Sequence, residues 1–237
     1  MKELLRQVWE NSSFILVCIG IVAMLILAAK FSERKMTQLH RVSPARRVSI
    51  IGICSALAAV LHMLDFPLLF LAPEFYKLDF SELPVILCGF FLGPSAAVVC
   101  EGLKILLKLL LKGTSTAFVG DFANFAVGCS MVLPAIILYH RRKSRKSAIW
   151  GLITGTVVLT VFVTAFNAIY LLPKFAQLYG IELKTIIGMG SAIHTSIHDV
   201  TSFVILCVAP LNMIKGTMIS ILTMLLYKRV ARPLFGK

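Results

Sequence analysis

The residues with chemistry in this sequence are few, and most lie inside apolar runs. Glu101, Lys104, Lys108 and Lys112 step by three and four, which places them on one face of a helix. Two arrangements suit that pattern. The lysines can snorkel to a membrane interface along an amphipathic helix, or Glu101 and Lys104 can pair in a polar seam inside a bundle. Asn124, Asn167, Asn212 and Lys215 are polar groups in otherwise greasy stretches. Asparagine offers donors and an acceptor, lysine donors only. Singly, each asparagine fits an interhelical hydrogen bond worth about 0.6–2 kcal/mol. Three asparagines and a buried lysine at one depth instead favour a ligand site.

His194 and His198 are spaced i, i+4 and Asp199 follows. That pattern could hold a metal in an intramembrane enzyme, with Glu101 as a further acid. HExxH is absent and Asp199 is offset from the shared face, so solvated histidines at a helix start are the simpler reading. Gly52 with Ala56, and Ser55 with Ala59, give small-xxx-small spacing. Such residues let helices approach closely, within the bundle or against a separate membrane subunit. The chain has no GxxxxGK[ST] phosphate loop and no nucleophile elbow, so uphill transport would draw its ATP from other chains.

The elements that position these groups follow from composition. Of 237 residues, 58% are hydrophobic and only 15% charged, against about 45–50% and about 25% in soluble domains. A soluble enzyme and a disordered chain are both excluded, and the chain reads as an all-α integral membrane protein. Its net charge of +13 comes from 24 basic against 11 acidic residues. Lys30–Arg47, His140–Lys146 and Lys228–Lys237 hold six, five and four of the basic residues, opposed by Glu33 alone. Short Lys/Arg-rich loops mark the cytoplasmic side, so the excess needs no nucleic acid. The six cysteines lie in apolar runs without CxxC spacing, as packing residues rather than disulfides or metal ligands.

Apolar runs predict spans at Ser12–Ala29, Val48–Leu71, Phe118–Tyr139, Ser147–Leu172 and Leu211–Tyr227. Pro84–Leu111 is broken at Gly93-Pro94 into a short helix and a second helix from Ser95. Pro173–Lys184 reads as a polar loop, Thr185–Ala209 as a weakly apolar segment, and Pro210 as a helix start. The predicted division is an extra N-terminal transmembrane helix with a basic cytoplasmic linker over 1–47, then a six-helix membrane domain over 48–237. Both ends of that domain are inside. The three asparagines and Lys215 then fall in the outer halves of their helices, in a polar pocket open to the outside.

An ordered set of motifs adds to this reading. Tyr76-Lys77-Leu78-Asp79-Phe80-Ser81-Glu82-Leu83-Pro84, Gly93-Pro94 and Glu101-Gly102-Leu103-Lys104 come first. Gly120-Asp121-Phe122-Ala123-Asn124-Phe125, Asn167 with Leu172-Pro173, and Pro210-Leu211-Asn212-Met213-Ile214-Lys215-Gly216 follow. From about Val48 to Tyr227 the chain resembles the riboflavin-type S component of energy-coupling factor transporters. The resemblance implies a six-helix bundle, here with Ser12–Ala29 added, in the bacterial plasma membrane. It implies no catalysis and no cofactor, riboflavin or a close flavin being the cargo taken from outside; another flat vitamin is the alternative. The implied partners are a transmembrane T subunit and two cytoplasmic ATPases. By the same resemblance Asn167, Asn212 and Lys215 hydrogen-bond the flavin, and Lys77, Asp79 and Phe80 belong to the gating loop. Asn124 lies near the site, while Gly52, Ser55, Ala56 and Ala59 face the T subunit.

Overall fold

A computed structural model describes residues 12–34, 36, 42–114, 116 and 118–235, with the side chains of 12–16, 18, 19 and 228–235 left out. The expectations for the charges of residues 1–10, for Lys35 and Arg41, and for the side chains of Cys18 and Lys228–Lys237 lie outside these described residues. Helix α1 runs over Ser12–Arg34, one turn beyond the expected end at Ala29. Helix α2 is Pro44–Met63, with the proline in its first turn, where a missing N–H costs nothing. It stops eight residues before the expected Leu71. Pro67 is the cause, because the residue before a proline is pushed to extended backbone. Phe66–Pro67 form strand β1, which pairs antiparallel with β2, Lys77–Leu78. This small hairpin, unforeseen in the sequence, ties the two ends of the loop between α2 and α3.

Helix α3 is Glu82–Leu92, with every residue buried. Its 11 residues measure roughly 16 Å, about half of a roughly 30 Å hydrocarbon layer. Gly93 then takes φ 100°, open to glycine at no steric cost, and Pro94 starts α4, Pro94–Lys112. The expected break at Gly93-Pro94 is thus in place. Helix α5 is Val119–Arg142. Helix α6 begins at Arg145, capped by the Ser144 hydroxyl accepting from the Ser147 N–H at 3.1 Å.

Two expected helix ends are corrected. Helix α6 continues through Pro173 to Tyr179, so the start of the expected Pro173–Lys184 loop is helical. The last helix, α8, starts at Val200 rather than Leu211 and passes through Pro210. Thr185–Ala209 is accordingly divided between the short α7, Leu183–Ser191, and the first turns of α8. A proline inside a helix clashes with the carbonyl four residues back and removes a donor. Both helices absorb this with a π-turn just before the proline, at Asn167–Leu171 and Val204–Val208. Leu172 N–H reaches the Asn167 carbonyl and Ala209 N–H the Val204 carbonyl. The wider turn gives the ring room, and such bulges often sit at functional sites.

The core is built where α2–α6 and α8 pack together, with Phe90, Met131, Ile136, Leu152, Leu159, Phe203 and Ile219 fully enclosed. Helices α5 and α6 approach most closely. A Cβ on Gly151 or Gly155 would lie 2.5 Å from the carbonyl oxygen of Ala135 or Met131. Four described helices are long and apolar enough to cross a membrane: Pro44–Met63, Val119–Arg142, Arg145–Tyr179 and Val200–Tyr227. Cys54, Cys88, Cys100, Cys129 and Cys207 are free thiols, four of them buried.

Candidate functional site

The loop before α3 folds inward, with Ala72, Leu78, Asp79 and Ser81 buried. Asp79 and Glu82 are 5% and 3% exposed. Lys215, on α8, donates to Asp79 Oδ2 at 3.0 Å and to Glu82 Oε1 at 3.2 Å. Asn212 is one turn earlier on the same buried face, its amide donating to the Val208 carbonyl at 2.8 Å. Across from it, on α6, the Asn167 amide donates to the Val163 carbonyl at 2.9 Å. Both asparagines thus spend a donor on their own helix beside a π-turn. The Tyr76 hydroxyl, from the loop, donates to Asn167 Oδ1 at 2.6 Å, and the two π-turns pack against each other.

One loop therefore reaches both helices, through Tyr76 to Asn167 and through Asp79 to Lys215. Spacing in the sequence does not single out Tyr76 and Glu82 as partners for these groups. The remaining loop residues divide. Phe80 is half-buried against the Phe66 ring, centroids 6.1 Å apart. Lys77 is exposed and pairs with Asp65 at 3.3 Å across the hairpin. Asn124 is half-buried on α5, on the same helix face as Asp121 and Gly128.

The polar face of α4 is an inner seam at its start and an anchor at its end. Glu101 and Lys104 are fully buried and paired, and Lys104 also lies 3.6 Å from Glu82 and donates to the Ser81 hydroxyl. The snorkelling alternative is set aside for these two. Gly128 on α5 makes the space, since a Cβ there would collide with the Glu101 carboxylate. Lys108 instead ties α4 to α5 through Asp121 at 2.6 Å, and Lys112 is exposed.

Four small residues on α2 were expected to face a partner together. Gly52 and Ala56 do lie on the exposed face, with Ile53, Leu57 and Val60. Ser55 and Ala59 are buried, and the Ser55 hydroxyl donates to Cys100 Sγ at 3.3 Å. Packing against α4 has taken that half of the stripe. Asp199 acts locally, forming a capping box with Ser202 at the start of α8. The Ser202 hydroxyl and backbone N–H hold its carboxyl below the usual carboxylate range. Among the described residues, no group of three His, Cys, Asp or Glu side chains could hold a metal.

Comparison with known proteins gives this geometry a family. Residues 46–227 match the substrate-specific component of ECF transporters. The chain is 36% identical over 191 residues to the riboflavin transporter RibU of Staphylococcus aureus, covering 78% of this chain and 90% of that one. It is 29% identical over 183 residues to the riboflavin transporter FmnP of Bacillus subtilis, covering 77% and 90%. A solved S component of a bacterial ECF transporter superimposes with a TM-score of 0.62 at 36% identity, over 80% of this chain and 98% of that one. These relatives are transport components, which removes the enzyme alternative built on His194, His198 and Asp199. A buried polar cluster under one loop, a short helix ended at Gly93-Pro94 and a family match over residues 46–227 agree: this multi-pass membrane protein belongs to the substrate-specific component family of energy-coupling factor transporters.

Proposed function

We propose that this chain binds riboflavin, or a close flavin, at the bacterial plasma membrane from the outside for ATP-driven uptake. Its partners in that reading are a transmembrane T subunit and two cytoplasmic ATPases, in keeping with the absent phosphate loop. What supports the reading is one loop bonded to Asn167 through Tyr76 and to Lys215, a turn beyond Asn212, through Asp79, in a chain 36% identical to a riboflavin transporter. An isoalloxazine ring is flat and apolar with a polar edge. It suits an apolar site carrying a few fixed polar groups. Lys215 supplies donors and the two asparagine Oδ1 atoms acceptors. Tyr76, Asp79 and Phe80 belong to the loop that closes over the ligand, Lys77 to its outer surface, and Asn124 to the rim. Riboflavin is cargo here and not a cofactor.

Gly52 and Ala56, with the apolar residues beside them, are the surface proposed for the T subunit, while Ser55 and Ala59 support it from within. The division at residue 47, with α1 added to a complete six-helix unit, belongs to the same reading; the family match starting at residue 46 supports it. Titration of the purified chain with riboflavin should quench flavin fluorescence saturably at one ligand per chain. Asn167→Leu or Asn212→Leu should weaken binding about tenfold, as expected for the loss of about 1–1.5 kcal/mol of hydrogen bonding. Absence of quenching in the wild-type chain would overturn the flavin assignment.

A further inference from the structure

The loop between α2 and α3 also has an outer side, and it is apolar. Its stretch Phe66–Pro73 contains no polar side chain. The Leu71 and Ala72 N–H groups both donate to the Leu68 carbonyl, at 2.9 and 3.0 Å, which closes one tight turn at the tip. That turn sorts its residues by direction. Leu68 and Leu71 pack on the core and Ala72 is fully buried. Leu69 and Phe70, between them, are 61% and 72% exposed. Phe66 and Phe75, to either side in the chain, are exposed as well. Apolar groups gathered outward on one fixed loop mark a contact surface.

The height of the loop decides what that surface meets. Arg46 and Arg47 lie in the first turn of α2, and basic residues at the end of a span stay at the membrane–water boundary. From Val48 to its end at Met63 the helix rises roughly 24 Å, less than a hydrocarbon layer of roughly 30 Å. Hydrocarbon therefore reaches past the end of α2 to the level of the loop. The exposed stripe Leu57, Val60 and Leu64 on α2 leads up to it. Backbone that enters lipid must satisfy its own polar groups. Pro67 and Pro73 have no N–H to satisfy, and the turn bonds occupy two further donors. Asp65 and Glu74 bracket the stretch, where it returns to water. Asp65 is neutralised by Lys77 at 3.3 Å, so the tip calls for no charged headgroup.

We propose that Leu69 and Phe70 seat the loop in the lipid leaflet at the C-terminal end of α2, about 5–10 Å into the boundary between headgroups and acyl chains, the depth of interfacial anchors. The loop that bonds Asn167 and Lys215 from its inner side is then held from its outer side by the bilayer. The inference rests on the bundle spanning a membrane and not on the flavin reading.

Depth-resolved fluorescence quenching tests it. Trp9→Phe and Trp150→Phe remove both native tryptophans. The full chain then carries Phe70→Trp or Leu69→Trp as its one indole, in phosphatidylcholine vesicles brominated at a chosen acyl carbon. Both reporters should emit at shorter wavelength than tryptophan in water. Both should lose emission to bromine, most of all at positions near the glycerol end of the chain, and lose little to aqueous acrylamide. Lys77→Trp, on the polar edge of the same hairpin, should show the opposite pattern, which separates the seat of the tip from the attraction of indole to lipid. Acrylamide quenching of both tip reporters without bromine quenching overturns the proposal. Bromine quenching as strong at Lys77→Trp as at the tip does the same. Shielding of the tip from both quenchers places it against protein, as in a second copy of this chain, and overturns the lipid assignment.

Discussion

Lys104 shows what one residue does in a dry bundle. It is fully buried, and its ammonium serves Glu101, Glu82 and the Ser81 hydroxyl together. Removing one member of a buried ion pair strands the other and typically costs about 3–5 kcal/mol. Lys104→Met should therefore lower the unfolding temperature of the detergent-solubilised chain sharply, because two carboxylates lose their cation. The double variant Glu101→Gln/Lys104→Met should recover a large part of that loss, since the charge goes with its partner. A double variant no more stable than the single one would show that Lys104 works through Glu82 alone. The pairing of Glu101 with Lys104 was legible in the sequence, because i, i+3 spacing is local. The Lys215–Asp79 contact spans 136 residues, and no spacing rule reaches that far. Motif likeness nominated both residues, but the bond between them comes from the tertiary fold.

Elements failed to be legible where a local rule met a tertiary remedy. Pro173 signals a helix end and Pro210 a helix start, yet both lie inside helices, each preceded by a π-turn. Nothing in the apolar pattern marks a π-turn, which adds one residue to a turn without altering composition. The Gly93-Pro94 break was legible because no remedy intervenes there: the glycine takes a positive φ and the chain turns. Gly151 and Gly155 share the small-xxx-small spacing of the residues on α2, and it is at this pair that two backbones touch. Gly155→Val should cost about 1–3 kcal/mol, the usual penalty for overpacking, read as a lower unfolding temperature. The same change at Gly52, which has open space around it, should leave stability unchanged. At the start of α8, Asp199→Ala should fray the first turn and lower the unfolding temperature, while Asp199→Asn, also a good cap, should largely restore it. Because its folded-state carboxyl is held below the ordinary range, the contribution of Asp199 is present at neutral pH. It fades only as the pH falls through that lowered value.

On the scale of the whole molecule the open matter is what α1 adds. It packs on α4 and α5 through Val22, Leu25 and Ala29, against Val98, Ile105, Phe125 and Leu133. At its end Glu33 accepts from the Ser95 hydroxyl and lies 4.0 Å from Arg47, joining the starts of α4 and α2. None of the residues proposed for binding, Asn124, Asn167, Asn212 and Lys215 among them, takes part in these contacts. They also leave the exposed face of α2, with Gly52 and Ala56, uncovered. An element whose contacts include neither the proposed binding residues nor the proposed docking face should affect stability and little else. Removal of residues 1–41 should thus lower the unfolding temperature while riboflavin affinity stays within about twofold, a difference under about 0.5 kcal/mol. Transport by the assembled complex should persist at matched levels of folded protein. Gly52→Trp or Ala56→Trp should do the reverse, sparing affinity and stability while impairing transport. If the truncated chain instead loses flavin binding at a temperature where it remains folded, α1 is part of the binding unit. The division of the chain at residue 47 would then have to be redrawn.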